Sequence, residues 1–301
     1  MPTQMLASVS IIIPARNRHN LLLRAIGSAR AQAEINNEII VVDDASNPPL
    51  EGFLRKNGCE NIWIHRNQER RNASFCRNRG AELARYPYLA FLDSDDTWFP
   101  YHLKTALGHL PDPAAAVLYV SGHGREQSVG HAEPTTCFDG YSLIFDRVRD
   151  PRSSVLVCGK SLFLKTGGFD ESLEKYQDWD FALRCAKEGA ILLPDATTVS
   201  LDEDAEGRMS ARANLAAARR FLSKHSDNMS KAHLVRFFAT LLRVAGSGQK
   251  SDRKDAIVLV REYLSLRDFP LRYWPIRLAP RLSPYAVRGW LVLKRLRTIV
   301  R

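Results

Sequence analysis

Three apolar runs, Ser8–Ile13, Glu38–Val42 and Tyr88–Leu92, are short, rich in branched or aromatic residues and show no polar–apolar alternation. A strand of this kind has to be covered on both faces, as in a parallel sheet flanked by helices. Between the runs lie stretches with helical spacing. Asn20–Gln32 places Leu21, Leu22, Ala25, Ile26 and Ala29 on one face; Leu50–Lys56 is a shorter helix, Ile62–Ile64 a third short strand, and Ala73–Arg85 a longer helix. Strand and helix alternating at about 20–30 residues predict right-handed βαβ units and an α/β fold with a Rossmann-like, mostly parallel sheet.

Past Pro111 the pattern loosens. Ala115–Val120, Val155–Val157, Ala190–Leu193 and Thr197–Leu201 read as strands, Asp178–Glu188 as a helix, and Gly122–Thr136 as a loop or irregular hairpin. From Ser210 onward the spacing predicts helices over Ala211–Lys224, Lys231–Val244, Asp252–Leu266 and Pro284–Thr298. The expected organisation is one α/β domain over residues 1–210 and a helical extension over 211–301. Charge divides at the same place: residues 211–301 hold 20 Lys and Arg against 5 Asp and Glu, whereas residues 1–210 hold 23 against 28. Such an asymmetry points to a basic extension with a partner of its own.

Several classes are excluded. There is no run of about 18 apolar residues of the kind that spans a bilayer. The first apolar run is too short for a secretory signal and is followed directly by Pro14-Ala15-Arg16. Five cysteines, without a CxxC pair, speak against a disulfide framework or a zinc site. These features predict a cytoplasmic protein.

In parallel α/β sheets, ligands bind outside the carboxyl ends of the strands. Three such ends carry unusual residues: Pro14-Ala15-Arg16-Asn17, Asp43-Asp44-Ala45-Ser46 and Asp93-Ser94-Asp95-Asp96. Two carboxylates about 4 Å apart repel by about 4 kcal/mol at an effective dielectric near 20. A divalent cation relieves that repulsion, and hard oxygen ligands suit Mg²⁺ or Mn²⁺. The plain alternatives are a helix N-cap at Asp93–Asp96 and an Asx-turn at Asp43-Asp44. No GxGxxG follows a strand and no GxxxxGK[ST] occurs, so dinucleotide and P-loop sites are excluded; a metal-bound nucleotide diphosphate remains.

SIIIPARN, EIIVVDDAS, Asn67 followed by CRNRG, YLAFLDSDDTW, GGFDE and QDWDFALR occur in this order over residues 8–210. In order and spacing they resemble the family 2 glycosyltransferases of the GT-A fold. The resemblance implies that Pro14, Ala15 and Arg16 line the nucleotide pocket, that Asp44 meets the base with Asp43 close behind, and that Arg77 faces the nucleotide-sugar. It makes Asp93 and Asp95 the DxD pair, with Asp95 the direct metal ligand and Asp93 and Ser94 near the ribose and sugar. Asp178 becomes the catalytic base, while Gly167, Gly168 and Phe169 shape the acceptor side and Trp179 stacks on a sugar ring. Read without the resemblance, Asp178 is an ordinary acid at a helix N-terminus. The chemistry implied is inverting transfer: a carboxylate takes the acceptor proton, and the metal neutralises the departing diphosphate.

Two departures stand out. Gln177 occupies a position where the family often has Glu, and Thr198–Ser210 lacks the histidine that many members place after the base helix; Asp202, Asp204 and Arg208 are the candidates to replace it. The implied function is addition of a single sugar, from a UDP-sugar, to a saccharide or lipid-linked saccharide of a surface polymer or glycolipid, since the QxxRW-like motif of processive members is absent. The alternatives are a sugar nucleotidyltransferase, which would carry a glycine-rich N-terminal loop with a lysine, and a non-catalytic scaffold. From Pro270 to Arg301 eight basic residues and no acid mix with Tyr273, Trp274, Tyr285 and Trp290. This pattern fits a peripheral membrane patch, a solvated surface or a helix-mediated homodimer; no nucleic-acid motif accompanies it.

Overall fold

The computed structural model describes residues 8–32, 34–110, 112–129, 133–146, 148–202, 213–246 and 250–263. The chain forms two compact units, Met1–Ala205 and Glu206–Arg301.

In chain order the first unit contains β1 (Ser8–Ala15), α1 (His19–Arg30), β2 (Asn36–Asp43), α2 (Leu50–Lys56), β3 (Trp63–Arg66), α3 (Ala73–Leu83), β4 (Tyr88–Phe91), β5 (Thr97–Trp98), α4 (His102–Gly108), β6 (Val117–Val120), β7 (Gly122–His123), β8 (Ser128–Val129), β9 (Thr135–Cys137), α5 (Gly140–Phe145), β10 (Leu156–Gly159), α6 (Lys160–Lys165), α7 (Gln177–Glu188), β11 (Ala190–Leu193) and β12 (Ala196–Ser200). The main sheet runs β3-β2-β1-β4-β10-β6-β11-β9. The first four strands are mutually parallel, with Ile11 paired to both Ile39 and Ala90. β10 runs antiparallel to β4 and β6, and β9 to β11. The apolar runs form the buried centre, as their lack of alternation requires: Val9, Ile11–Ile13, Ile39–Val42 and Leu89–Phe91 are all buried.

Chain direction reverses its progress across the sheet at β1, which has β2 on one side and β4 on the other. The loops after β1 and β4 therefore open a crevice at their carboxyl ends, the usual ligand position in such sheets. A smaller sheet, β5-β12-β7 with β8 paired to β12, brings the chain after the fourth strand against the chain after α7. Gly122–Thr136, read from sequence as a loop or irregular hairpin, contains β7, β8 and the start of β9. Two- and three-residue strands are too short to show a period, and their partners β11 and β12 lie more than fifty residues later in the chain.

The second unit holds α8 (Leu215–His225), α9 (Lys231–Gly246) and α10 (Lys250–Tyr263). Asn214 caps α8, its Oδ1 accepting from the Ala217 amide at 2.9 Å. Phe221 of α8 stacks on Phe237 of α9 with ring centroids 5.5 Å apart, and Phe238, Leu241, Ala256, Leu259 and Val260 are buried. The helix expected at Pro284–Thr298 and the basic stretch from Pro270 lie outside the described residues. Among those described, no helix is long and apolar enough to cross a membrane.

The helix α3 lies against β1 because Gly80 presents no side chain: a Cβ there would stand 2.4 Å from Ile12 Cγ2. Gly80→Ala gains about 1 kcal/mol of helix propensity but overpacks a buried contact at a cost of about 1–3 kcal/mol. A net loss of stability is expected, read as a lower urea midpoint with unchanged slope.

Candidate active site

Parallel strands end at one edge, so the loops after β1, β2 and β4 meet. The first two are tied together: the Asn17 amide donates to Ser46 Oγ at 3.0 Å, the Asn47 amide to Asn17 Oδ1 at 2.8 Å, and the Asp44 amide to the Ala15 carbonyl at 2.9 Å. Asn17 and Ala45 hold positive φ angles of 53° and 54°, a sparsely populated conformation for residues with a Cβ.

Within this edge the acids separate into different jobs. Asp43 is buried and fully engaged, accepting from the amides of Ser46 (2.8 Å) and Leu50 (3.2 Å) and from Arg66 Nη1 (2.8 Å). It shapes the loop behind Asp44. Asp44 Oδ1 accepts from Asn67 Nδ2 at 2.9 Å and from the Arg71 amide at 2.8 Å. Pro14, Ala15 and Ser94 are buried, and Arg16 is exposed.

The loop after β4 gathers Asp93, Asp95 and Asp96, with one oxygen of each within 4.8 Å of the others. Asp96 is held from two distant segments: Ser154 Oγ donates to it at 2.6 Å and the Asp202 amide at 3.1 Å. Ser154 Oγ also accepts from the Asp93 amide at 3.0 Å. Burial, followed by the charge of Asp93, pushes Asp95 above the usual carboxylate range. The same causes push Asp96 to about 7. Three hard oxygens competing for too little positive charge fit a Mg²⁺- or Mn²⁺-type ion. Asp202 reaches this cluster through its backbone, while its carboxylate pairs with Arg24 at 3.1 Å; Asp204 and Arg208 lie outside the described residues.

Arg77 comes from α3, where Asn72 Oδ1 caps the helix by accepting from the Phe75 amide at 2.9 Å. Its guanidinium is only 2 % exposed and pairs with Asp93. Nε and Nη1 are buried and meet no protein acceptor. The ring of Phe169 lies beneath it, 5.2 Å from the guanidinium carbon. The neighbouring Asn78 clamps the Gly168–Glu171 loop: its Nδ2 donates to the Phe169 carbonyl and Glu171 Oε1, both at 2.9 Å, and its Oδ1 accepts from the Phe169 amide at 2.8 Å. At Gly168, with φ +66°, a Cβ would stand 2.7 Å from that same Oδ1. Phe169, expected on the acceptor side, is 1 % exposed and stacked on Phe181 at 4.7 Å. A large apolar ring finds more area to bury beneath Arg77 than at the surface, so here it supports the loop from below and its ring is not presented to solvent.

Asp178 is the second residue of α7, after Gln177 and the N-cap Tyr176, whose φ of 67° is a strained value for a bulky residue. Burial, then the nearby Asp150 charge, raises Asp178 to about 6, while Arg152 and Arg77 pull it back. Asp180 plays no such part: fully buried, it accepts from Arg184 Nε at 2.9 Å and Nη2 at 2.7 Å. Asp150 binds Arg152 Nε at 2.8 Å and accepts from the Trp179 indole N–H at 3.2 Å. That leaves the half-buried Trp179 ring between Phe145 and Tyr176. Lys175 is pushed down to about 8 by burial and by Arg152. Arg152 lies in the field of Asp178 and of Asp96 alike, so Arg152 and Arg77 join Asp178 and the carboxylate cluster into one electrostatic neighbourhood. Sequence reading had passed over Asp150, Arg152, Ser154 and Lys175; the only local signal was a polar Asp-Pro-Arg-Ser-Ser run ahead of an apolar strand.

The sequence model "Glycosyl transferase family 2" matches residues 10–167, more than half of the chain. The chain belongs to this family. A second model, "Glycosyltransferase like family 2", matches residues 142–253. A glycosyltransferase of Haemophilus influenzae is 25 % identical over 185 residues, 60 % of this chain and 62 % of that protein, so the match spans less than two thirds of the relative. The Escherichia coli enzyme WfaP, UDP-Glc:alpha-D-GlcNAc-diphosphoundecaprenol beta-1,3-glucosyltransferase, is 37 % identical over 90 residues, 30 % of this chain and 36 % of the enzyme. The crystal structure of S. aureus TarS 1–349 in complex with UDP-GlcNAc superposes with a TM-score of 0.63 at 16 % identity, over 94 % of this chain and 87 % of TarS. That likeness establishes the GT-A fold of this family 2 protein.

Asp178 has a higher proton affinity in the folded chain than in the unfolded one. Its contribution to stability is therefore complete below about pH 4 and lost as pH rises through about 6. Asp178→Asn is expected to melt above the wild type at pH 7–8 and to converge with it near pH 4, as differential scanning fluorimetry across that range would record.

Proposed function

We propose that this protein is an inverting glycosyltransferase that moves a sugar from a UDP-sugar to a hydroxyl of a saccharide or lipid-linked saccharide in surface polysaccharide or glycolipid synthesis. The observation that carries the reading is the pairing of two acidic centres of opposite character through Arg77 and Arg152. Asp178 is a carboxyl that burial and the neighbouring Asp150 poise near 6, and Asp93, Asp95 and Asp96 are a crowded group whose repulsion a cation would relieve. In-line displacement needs one at each end of the reacting bond. Asp178 takes the proton from the acceptor hydroxyl as its oxygen attacks the anomeric carbon, and the bond to the diphosphate breaks on the opposite side.

A divalent cation held by Asp93, Asp95 and Asp96 would supply Lewis-acid neutralisation of the departing diphosphate. Arg77 orients Asp93 from its buried position beneath the acidic loop, while Pro14, Ala15, Arg16, Asp44 and Ser94 line the nucleotide side. Arg152 and Lys175 place positive charge beside the base. Gly168 shapes the acceptor loop and Trp179 presents part of its ring there. The UDP-GlcNAc bound by TarS and the UDP-Glc in the name of WfaP support a uridine donor. The lipid diphosphate in the name of WfaP supports a lipid-linked acceptor. Residues 270–301 would hold the enzyme at an anionic membrane surface from the cytoplasmic side, with binding to phosphatidylglycerol vesicles that falls as salt rises.

Titration calorimetry with UDP, GDP and dTDP, with and without Mn²⁺, tests the donor site. UDP binding that needs Mn²⁺ and disappears in Asp95→Ala is expected; a folded protein that binds none of the three overturns the reading. Asp178→Asn should keep UDP affinity and lose about 10²–10⁴ in turnover. In the wild type kcat/KM should fall as pH drops below about 6, where the base becomes protonated. A scaffold would keep its cellular role in that variant.

A further inference from the structure

Arg18 lies in the loop between β1 and α1, and its Nη1 stands 2.6 Å from Asp95 Oδ2. It is therefore the counter-ion of the carboxylate expected to meet the metal directly. The other guanidinium nitrogens of Arg18 hydrogen-bond to no described residue, and its side chain is 28 % exposed. Arg77, the other arginine on this acidic loop, is buried between Asp93 and Phe169 and cannot leave without uncovering the core. The two pairs look alike on paper but differ in freedom: one arginine is walled in, and the other, among the described residues, is held by the carboxylate with its side chain 28 % exposed.

A divalent cation and Arg18 compete for the same oxygen. A divalent ion held by Asp95 would repel a guanidinium touching that carboxylate. Arg18 would have to turn away, and a long side chain on an exposed loop can do so. The anion that arrives with the metal is the diphosphate of the donor, and planar N–H forks recognise phosphate oxygens well. We propose that Arg18 is a donor-phosphate ligand that Asp95 holds in reserve: it neutralises the acidic loop before the metal binds and transfers to the diphosphate when the metal displaces it.

This inference rests on the metal-dependent nucleotide site proposed above. It carries a signature that a structural role lacks, because the same arginine must oppose the metal by itself and favour the metal–diphosphate pair. Linkage makes these two effects parts of one coupling.

The test is titration of Mn²⁺ alone, and of UDP in saturating Mn²⁺, into the wild type, Arg18→Gln and Arg18→Lys. Mn²⁺ binding is read by calorimetry or electron paramagnetic resonance. Arg18→Gln is expected to bind Mn²⁺ alone about fivefold or more tightly than the wild type, and UDP about fivefold or more weakly, the lower edge of ordinary coupling between sites. Arg18→Lys, which keeps the charge without the fork, should fall between them. Unchanged affinities in Arg18→Gln, or weakening of both ligands together, would overturn the transfer while leaving the donor site intact. Mn²⁺ binding that is absent from the wild type, or indifferent to Asp95→Ala, would overturn the metal reading and this proposal with it.

Discussion

A guanidinium taken out of water costs several kcal/mol unless an anion and a polarisable surface compensate it. At Arg77 the anion is Asp93 and the surface is the ring of Phe169. Much of the site follows from satisfying that one charge. Asp93 is fixed in direction, so the acidic loop after β4 is anchored to α3. Phe169 is drawn beneath the arginine, where it meets Phe91 of β4 at 5.0 Å and Phe181 of α7 at 4.7 Å. The acidic loop and α7 thus share one aromatic floor, and Asn78 locks the stretch of chain that crosses it.

Above the floor, the acids are distinguished by what already holds them. Asp43 is saturated by backbone and Arg66 and serves the loop. Asp180 is saturated by Arg184 and serves the helix. Asp95, Asp96 and Asp178 are under-compensated, and burial raises all three. Unrelieved carboxylate repulsion in a crevice is stored free energy that a cation or a proton releases, which is why perturbed groups collect at functional sites. The left-handed residues Asn17, Ala45 and Tyr176 add backbone strain at the same edge.

Much of the fold was legible because it is local. Apolar runs without alternation identified the buried parallel strands, and the acids just after them marked the sheet edge where the carboxylates cluster. Asp93, Asp95 and Asp178 stood out through resemblance as well as position. The burial of Phe169 was not legible, because a Gly-Gly-Phe turn looks alike whether its ring faces a ligand or the core. Ser154, Asp150 and Arg152 left only a polar run as a signal, since contacts with distant segments decide their roles: Ser154 meets Asp96 from 58 residues away and Asp150 meets the Trp179 indole from 29. The strands within Gly122–Thr136 escaped for the same reason, being defined by their partners alone.

By itself the sequence determined the α/β class, the edge where ligands bind, and the residue types able to carry metal and base chemistry, because strand burial and carboxylate spacing are written in neighbouring positions. Only the tertiary structure decided which acids are spent on the fold and which remain available. It also decided that Arg77 is pinned while, among the described residues, the Arg18 side chain pairs with Asp95. Those distinctions depend on burial and on partners brought together by chain crossings, and no stretch of neighbouring residues encodes how much water is left around a charge.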